Sequence, residues 1–156
     1  MPEIRRIREA DAEAVVELWD RMVREVPDGG PLTEAGRWHL GRMLAITAWH
    51  RETFCLVAVE GDEVLGFGLG RVDIGDGLLP EAVGEIQELS VAPGTPDAAA
   101  LKVRLAEAVI ARLRALGTTT MRKTLAADEP AEQRFWADRG FEADMVVMSA
   151  YDAEQR

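Results

Sequence analysis

Residues 83–117 read VGEIQELSVAPGTPDAAALKVRLAEAVIARLRALG, and this stretch decides the fold. An apolar strand pattern runs over 83–92 and enters a loop that contains proline and glycine. A long amphipathic helix is predicted directly afterwards, over 97–116, and Gly117 ends it. Helix N-termini carry unpaired N–H groups and a partial positive charge, which attract phosphate. The stretch therefore predicts a strand–loop–helix unit with an anion site at its loop.

The remaining segments add three helices and five strands to this unit. The helices are predicted at 12–25, from Thr33 to about Trp49, and at 129–139. The strands are predicted at 3–8, in the two arms of a β-hairpin over 54–74 that turns at 60–62, at 118–125 and at 141–151. The order β-α-α-β-β-β-α-β-α-β combines an antiparallel hairpin with a late parallel crossover. The sequence therefore predicts one α/β (α+β) domain over 1–156, with a mixed, mostly antiparallel sheet flanked by helices.

The charge of the chain restricts its partners. The 156 residues include 28 acidic and 18 basic side chains, which give a formal net charge of −10. This charge argues against nucleic acid as a partner, because phosphate contacts need a basic surface. It favours cationic small molecules such as amines, although net charge also keeps a protein soluble whatever its partner.

The sequence carries no membrane or secretion signal. No apolar run approaches the ~20 residues of a membrane-spanning helix, and the N-terminus MPEIRRIREAD lacks the apolar core of a signal peptide. The single cysteine, Cys55, excludes an internal disulfide and fits a reducing compartment. We expect a cytoplasmic protein without a membrane partner and, because no zinc-ligand spacing is present, without a metal.

A second informative segment is AEQRFWADRGF at 131–141, a short predicted helix that ends in Arg-Gly-Phe. Together with the unit at 83–117 it resembles the Gcn5-related N-acetyltransferase (GNAT) family, and the element order extends the resemblance over nearly the whole chain. The resemblance implies transfer of acetyl from acetyl-CoA to a primary amine in a direct ternary complex. The acceptor would be a small-molecule or peptide amine, and homodimers are frequent in the family. The alternative is a GNAT-like binding or regulatory module without catalysis.

The resemblance also implies where acetyl-CoA would bind. Its pantetheine arm would pair with the edge of the strand at 88–92, through the main chain of Leu89, Ser90 and Val91, and one N–H would polarise the thioester carbonyl. Val91-Ala92-Pro93 matches the family's Val-x-Pro, which precedes a pyrophosphate loop. Two alignments of this loop stay open, and they place its contacts at Asp97, Ala100 and Lys102, or at Pro96, Ala99 and Leu101. Neither alignment reproduces the family's glycines, and Asp97 has the alternative role of helix N-cap.

Two glutamates on the strand at 83–92 are candidates for the general base that deprotonates the amine, as the resemblance implies. Strand periodicity puts Glu85 and Glu88 on opposite faces of the sheet, unless a bulge shifts the alternation. Glu88 is preferred because it lies closer to Val91-Ala92-Pro93. The alternative for either residue is an ordinary solvent-facing glutamate.

Two residues near the C-terminus stand at further positions of the family pattern. Trp136 replaces the tyrosine that, by resemblance, protonates the leaving thiolate. An indole N–H has no useful acidity, so Trp136 is predicted to pack against the CoA arm or to fill the core. Asp128 begins Asp-Glu-Pro-Ala where the family has Asn-x-x-Ala, and the resemblance implies that it also contacts the cofactor.

Two further patterns have both a structural and a functional interpretation. Trp38 and Trp49 lie about three helical turns apart on one helix face, where they either pack or line the acceptor pocket. Gly66, Gly68 and Gly70 alternate inside a predicted strand, so they leave room for a neighbouring element or a ligand. A nucleotide-binding loop is not predicted there.

Overall fold

The computed structural model describes residues 1–73 and 81–152. The chain divides into two compact units, Met1–Thr124 and Leu125–Arg156. The first unit contains the strands β1 (Glu3–Arg6), β2 (Thr53–Glu60), β3 (Glu63–Asp73), β4 (Val83–Val91) and β5 (Thr120–Arg122), and the helices α1 (Ala12–Glu25), α2 (Glu34–Thr47) and α3 (Ala98–Ala115). A short 3₁₀ turn, Glu9–Asp11, precedes α1, and α4 (Pro130–Ala137) lies in the second unit.

The strands of the first unit form one sheet in the order β1-β2-β3-β4-β5. The first four strands pair antiparallel with their neighbours, whereas β5 runs parallel to β4. The prediction of a mixed, mostly antiparallel sheet is therefore confirmed. The parallel ladder is short, because it joins only Val83–Glu85 to Thr120–Arg122. Beyond Glu85, within the described part of the chain, β4 has a ladder partner on its β3 side alone.

Helices α1 and α2 cover one face of this sheet. Val15 of α1 and Leu44 of α2 are fully buried, and they share a core cluster with Phe67 of β3. The apolar spacing of both helices explains this packing, because residues three and four apart share a face. Thr33 caps α2 as predicted, since its Oγ1 accepts a hydrogen bond from the N–H of Gly36 at 3.0 Å.

A buried carboxylate fixes the connection between these two helices. Asp20 of α1 is 4% exposed, and its carboxylate accepts hydrogen bonds from the Leu32 N–H at 2.7 Å and from Arg24 Nε at 2.8 Å. The Leu32 hydrogen bond, with help from Arg24, holds the pKa of Asp20 below its usual range. The sequence gives no sign of this contact, because it joins residues twelve positions apart across a loop.

Helix α3 covers the opposite face, and the glycines of β3 make its approach possible. A Cβ atom on Gly68 would lie 2.6 Å from Cγ2 of Val109 on α3, closer than real Cβ atoms come to a neighbour. A Cβ on Gly70 would lie 2.5 Å from the ring of Phe54. The alternating glycines therefore make room for packed side chains, which confirms their structural interpretation.

Most predicted elements agree with the structure to within a few residues. The exceptions in length are β1, which ends at Arg6, and β5, which is reduced to Thr120–Arg122. Ile74, the predicted end of the hairpin, lies outside the described residues, as does most of the predicted connection at 75–82.

The predicted final strand at 141–151 is wrong. Phe141 donates its N–H to the Trp136 carbonyl at 3.2 Å at the end of α4, and residues 142–152 form no strand. Four apolar side chains of this segment are strongly exposed: Met145 (65%), Val146 (86%), Val147 (74%) and Met148 (90%). An apolar pattern fits a strand only where another strand supplies a hydrogen-bonded ladder, and the sequence pattern does not include that partner.

Candidate functional site

The edge of β4 that faces away from β3 is the centre of the candidate site. Ala92, just after β4, donates its N–H to the Leu65 carbonyl of β3 at 2.7 Å. Because successive N–H groups of a strand point to opposite edges, those of Leu89 and Val91 point away from β3. The ladder with β5 does not reach them among the described residues. An extended chain of amides can therefore pair with this edge, in the way that a peptide adds to a sheet.

A β-bulge lies immediately before this open edge. Gly70 of β3 pairs with Ile86, and the preceding residue, Leu69, pairs with Glu88. Gln87 is therefore the additional residue, and the alternation of side chains shifts by one position there. Bulges commonly re-aim a side chain near a functional site.

The bulge puts Glu85 and Glu88 on the same face of the sheet. Glu85 lies opposite Arg71 and Glu88 opposite Leu69, and these two partners share a face of β3 because they are two residues apart. Leu69 belongs to the core cluster under α1 and α2, so this is the face that those helices cover. The prediction from strand periodicity that the two glutamates lie on opposite faces is therefore wrong, because the bulge shifts the alternation of side chains by one position.

The carboxylate of Glu88 is held close to the open edge. Its Oε1 accepts hydrogen bonds from the Leu89 N–H at 3.2 Å and from the Ser90 hydroxyl at 3.1 Å. Ser90 is 8% exposed, so its side chain is fixed inside the fold. Both contacts use the same oxygen, so neither of them involves Oε2, which has lone pairs to accept a proton.

Glu85 is engaged differently. Its Oε2 accepts a hydrogen bond from Arg71 Nε at 3.1 Å across the β3–β4 ladder, in a salt bridge on the surface. Opposite charges on facing residues stabilise a strand pair. Of the two predicted bases, Glu88 is therefore the one whose contacts leave it beside the open edge.

The loop after β4 leads into α3 through an unusual backbone conformation. Asp97 has φ 51° and ψ 37°, in the left-handed region, and its side chain makes no capping hydrogen bond. The prediction of Asp97 as a side-chain N-cap is wrong, because a capping residue needs an extended φ and ψ to direct its oxygen at the first helical N–H groups. Aspartate is among the few residues other than glycine that tolerate this region.

The first turn of α3 contains the small residues that the two loop alignments predict to contact pyrophosphate, Ala100 in one alignment and Ala99 in the other. Ala99 and Ala100 are exposed, and a helix gives no internal partner to the N–H groups at its start. Leu101 is different, because its N–H donates to the Asp97 carbonyl at 3.0 Å and its side chain is only 3% exposed, packed with Ala58. Leu101 is therefore a core residue. Lys102 follows on α3 and is partly buried.

In the second unit, Trp136 is an interior residue. It is 2% exposed, and its ring meets those of Phe135 and Phe141 edge-on, each at a centroid distance of 5.2 Å. This arrangement agrees with the core-filling interpretation. Asp128 lies on an exposed turn before α4, where Gln133 Nε2 donates to the Ala127 carbonyl at 3.1 Å.

Trp38 and Trp49 do not pack in the core. They are 64% and 66% exposed, and only Trp38 belongs to α2, because the helix ends at Thr47, before Trp49. The Arg42 guanidinium stacks over the Trp38 ring at 5.1 Å. The packing interpretation of both tryptophans is wrong, and their assignment to the acceptor stays a prediction.

Other kinds of site receive no support from the described residues. Burial raises the pKa of the Cys55 thiol to about 12, so a nucleophilic thiolate is not available there. Within 1–73 and 81–152, no three His, Cys, Asp or Glu side chains are grouped so that they would hold a metal ion. None of the described helices is both long and apolar enough to cross a bilayer.

One charged residue at the β4 edge was not among the predicted site residues. Lys123, directly after β5, donates from Nζ to the carbonyl of Gln87, the bulged residue of β4, at 3.2 Å. The only available signal was its rarity, since Lys102 and Lys123 are the two lysines of the chain.

No family model matches the sequence, and no curated protein matches it either. Solved structures do match. The aminoglycoside N-acetyltransferase AAC(6')-Iy, in complex with CoA, is 16% identical with a TM-score of 0.74, over 98% of this chain and 95% of that one. Glucosamine-6-phosphate N-acetyltransferase from Arabidopsis thaliana is 15% identical with a TM-score of 0.71, over 97% and 98%. The chain has the GNAT fold.

The same fold also occurs in a protein that is named for a different role. A transcriptional regulator from Bacillus halodurans is 16% identical with a TM-score of 0.78, over 97% of this chain and 100% of that one. At such identities the comparisons establish the GNAT fold, so the chemistry has to be argued from the residues of this chain.

Proposed function

We propose that this GNAT-fold protein is an N-acetyltransferase that moves the acetyl group of acetyl-CoA to a primary amine in a ternary complex. The observation that carries the proposal is the open edge of β4, where the N–H groups of Leu89 and Val91 point away from β3 beside the carboxylate of Glu88. Such an edge can pair with the amides of pantetheine, and a carboxylate next to it can take a proton from an amine. The CoA-bound neighbour of the same fold supports acetyl-CoA as the co-substrate.

Binding of the thioester would change the partner of one backbone N–H. In the free protein the Leu89 N–H donates to Oε1 of Glu88. A thioester carbonyl that pairs with this N–H would replace the carboxylate as its acceptor, and the N–H would polarise the carbonyl. Glu88 would keep its hydrogen bond from the Ser90 hydroxyl, so it would stay in place while one of its lone pairs becomes free.

The pyrophosphate of CoA would lie at the start of α3. The unpaired N–H groups of Ala98, Ala99 and Ala100 and the helix dipole favour an anion there. Asp97 opposes it, because its carboxylate adds a negative charge at the same helix end. Lys102 is the nearest lysine along the sequence and would offset part of that charge.

The reaction would proceed by direct transfer. Glu88 accepts a proton from the ammonium of the acceptor, and the amine attacks the thioester carbonyl carbon to form the N–C bond. The N–H groups of the β4 edge stabilise the oxyanion. The C–S bond then breaks, and the thiolate takes the second proton of the nitrogen through water, since no tyrosine stands at position 136. An acyl-cysteine intermediate is excluded at Cys55, which is fully buried and protonated.

The acceptor is a cationic small-molecule or peptide amine in this proposal. The net charge of −10 would attract such a molecule over some distance at low ionic strength. We further propose a cytoplasmic location, where acetyl-CoA is available, and a homodimer as the state to be checked first.

Calorimetry with acetyl-CoA, followed by a thiol-release assay with a panel of amines, tests the proposal. We expect saturable binding of acetyl-CoA and release of free CoA thiol that depends on an added amine. Binding without transfer to any amine would favour a regulatory module that senses CoA. Absence of binding at millimolar acetyl-CoA would overturn the proposal.

A further inference from the structure

An amine of the protein itself lies at the open edge of β4. The Nζ atom of Lys123 is 3.2 Å from the carbonyl oxygen of Gln87, which is the bulged residue next to Glu88. Lys123 follows β5 directly, at the point where the parallel ladder between β4 and β5 has ended. The fold therefore holds an ammonium group at the start of the unpaired edge, beside the residue that we propose as the base.

From this juxtaposition we infer that Lys123 is a self-acetylation site, modified by acetyl-CoA when no external amine occupies the acceptor position. The inference rests on the proposed function, since it needs a thioester bound along the edge that contains Leu89 and Val91. A tethered amine beside the reacting carbonyl benefits from proximity, because its attack becomes a step within one molecule.

The chemistry is that of the main reaction with Lys123 as the acceptor. The ammonium gives one proton to Glu88, which passes it to solvent, and Nζ attacks the carbonyl carbon of the acetyl thioester. As the N–C bond forms and the C–S bond breaks, the nitrogen loses a second proton, which the CoA thiolate takes up. The products are ε-N-acetyl-Lys123, free CoA thiol and one proton released to solvent.

The second lysine of the chain is a built-in control. Lys102 lies on α3, near the end that we assign to pyrophosphate rather than to the thioester. A merely chemical reaction of acetyl-CoA with accessible amines would modify the exposed N-terminus as well as the two partly buried lysines. A reaction directed by the fold would modify Lys123 alone.

The test is incubation of the full chain with acetyl-CoA in the absence of an added amine, followed by intact-mass measurement and peptide mapping. We expect a single acetyl group on Lys123 and none on Lys102, with a first-order rate that does not depend on protein concentration. Lys123→Arg should keep the positive charge and abolish the modification. Glu88→Gln should slow it by about 10²-fold, the scale for loss of a general base.

Three results would overturn the inference. The first is equal labelling of Lys102 and Lys123. The second is labelling of Lys123 that proceeds as fast in heat-unfolded protein or in Glu88→Gln. The third is a rate proportional to protein concentration, which would mean transfer between molecules.

The same samples distinguish this inference from the proposed function. If an amine of the panel is acetylated and Lys123 is not, the function stands and the self-acetylation site is rejected. If acetyl-CoA neither binds nor modifies any amine, both are rejected.

Discussion

The segment 83–115 and the segment 125–152 have similar sequence signals but different outcomes. Both contain a predicted strand and a predicted helix, and both contributed to the resemblance to the GNAT family. In the first, strand and helix form, and Leu105 of α3 is fully buried. In the second, α4 forms but the strand does not, and Met148 is 90% exposed. The difference shows that a helix bonds within its own segment, whereas a strand also needs a partner.

The sharpest test of this comparison is one truncation to alanine in each segment. Leu105→Ala should lower the free energy of unfolding by about 2–5 kcal/mol, because it removes a fully buried side chain and leaves a cavity. Met148→Ala should change it by less than about 0.5 kcal/mol, as expected for an exposed position. Urea denaturation followed by circular dichroism measures both. A large loss for Met148→Ala would mean that the segment after α4 packs in solution and would remove the contrast.

The second prediction concerns the chemistry that the first segment carries. Glu88→Gln should lower kcat/KM for amine acetylation on the order of 10²-fold, since the amide cannot take a proton, and it should leave acetyl-CoA affinity nearly unchanged. Glu85→Gln is the matched control on the same face, where the carboxylate pairs with Arg71. It should change the rate less than a few-fold. Wild-type activity of Glu88→Gln, or a larger loss for Glu85→Gln, would reject Glu88 as the base.

The third prediction tests why the first segment packs so closely. Gly68→Ala should destabilise the protein by about 1–3 kcal/mol, because its Cβ would meet Val109 of α3 at 2.6 Å and force a shift. Gly30→Ala, in the loop before α2, is the control, since a Cβ there meets nothing within 4 Å. Thermal unfolding of both variants gives the comparison. Equal melting temperatures would show that α3 adjusts to the extra methyl group.

The smallest expected effect is a change in acetyl-CoA affinity on substitution in the loop before α3. Asp97→Asn should tighten acetyl-CoA binding on the order of a few-fold at low salt, because an exposed like charge is removed near the phosphates. Stability should hardly change, since the side chain makes no cap and asparagine also tolerates the left-handed conformation.

The control for the loop prediction is Asp62→Asn, which removes the same charge from the turn between β2 and β3. Calorimetric titration of both variants and the wild type, at two salt concentrations, gives the answer. Equal tightening in both would assign the effect to net charge rather than to the loop.

The sequence by itself determined the elements whose signals are local. The apolar spacing of α1 and α3, the cap at Thr33 and the turn at Gly61 depend on residues within a few positions of one another. The open edge at Leu89 and Val91 and the candidate base Glu88 also followed from sequence, through the resemblance carried by the strand–loop–helix unit.

Only the tertiary structure decided the features that join distant segments. The bulge at Gln87, which brings Glu85 and Glu88 to one face, exists because β4 is paired with β3, so strand periodicity alone gave the wrong answer. The contact of Lys123 with Gln87 likewise depends on β5 lying beside β4, and the missing strand after Phe141 depends on a partner that the pattern does not encode. Side-chain alternation and helical spacing are properties of one segment, whereas register and pairing are properties of two.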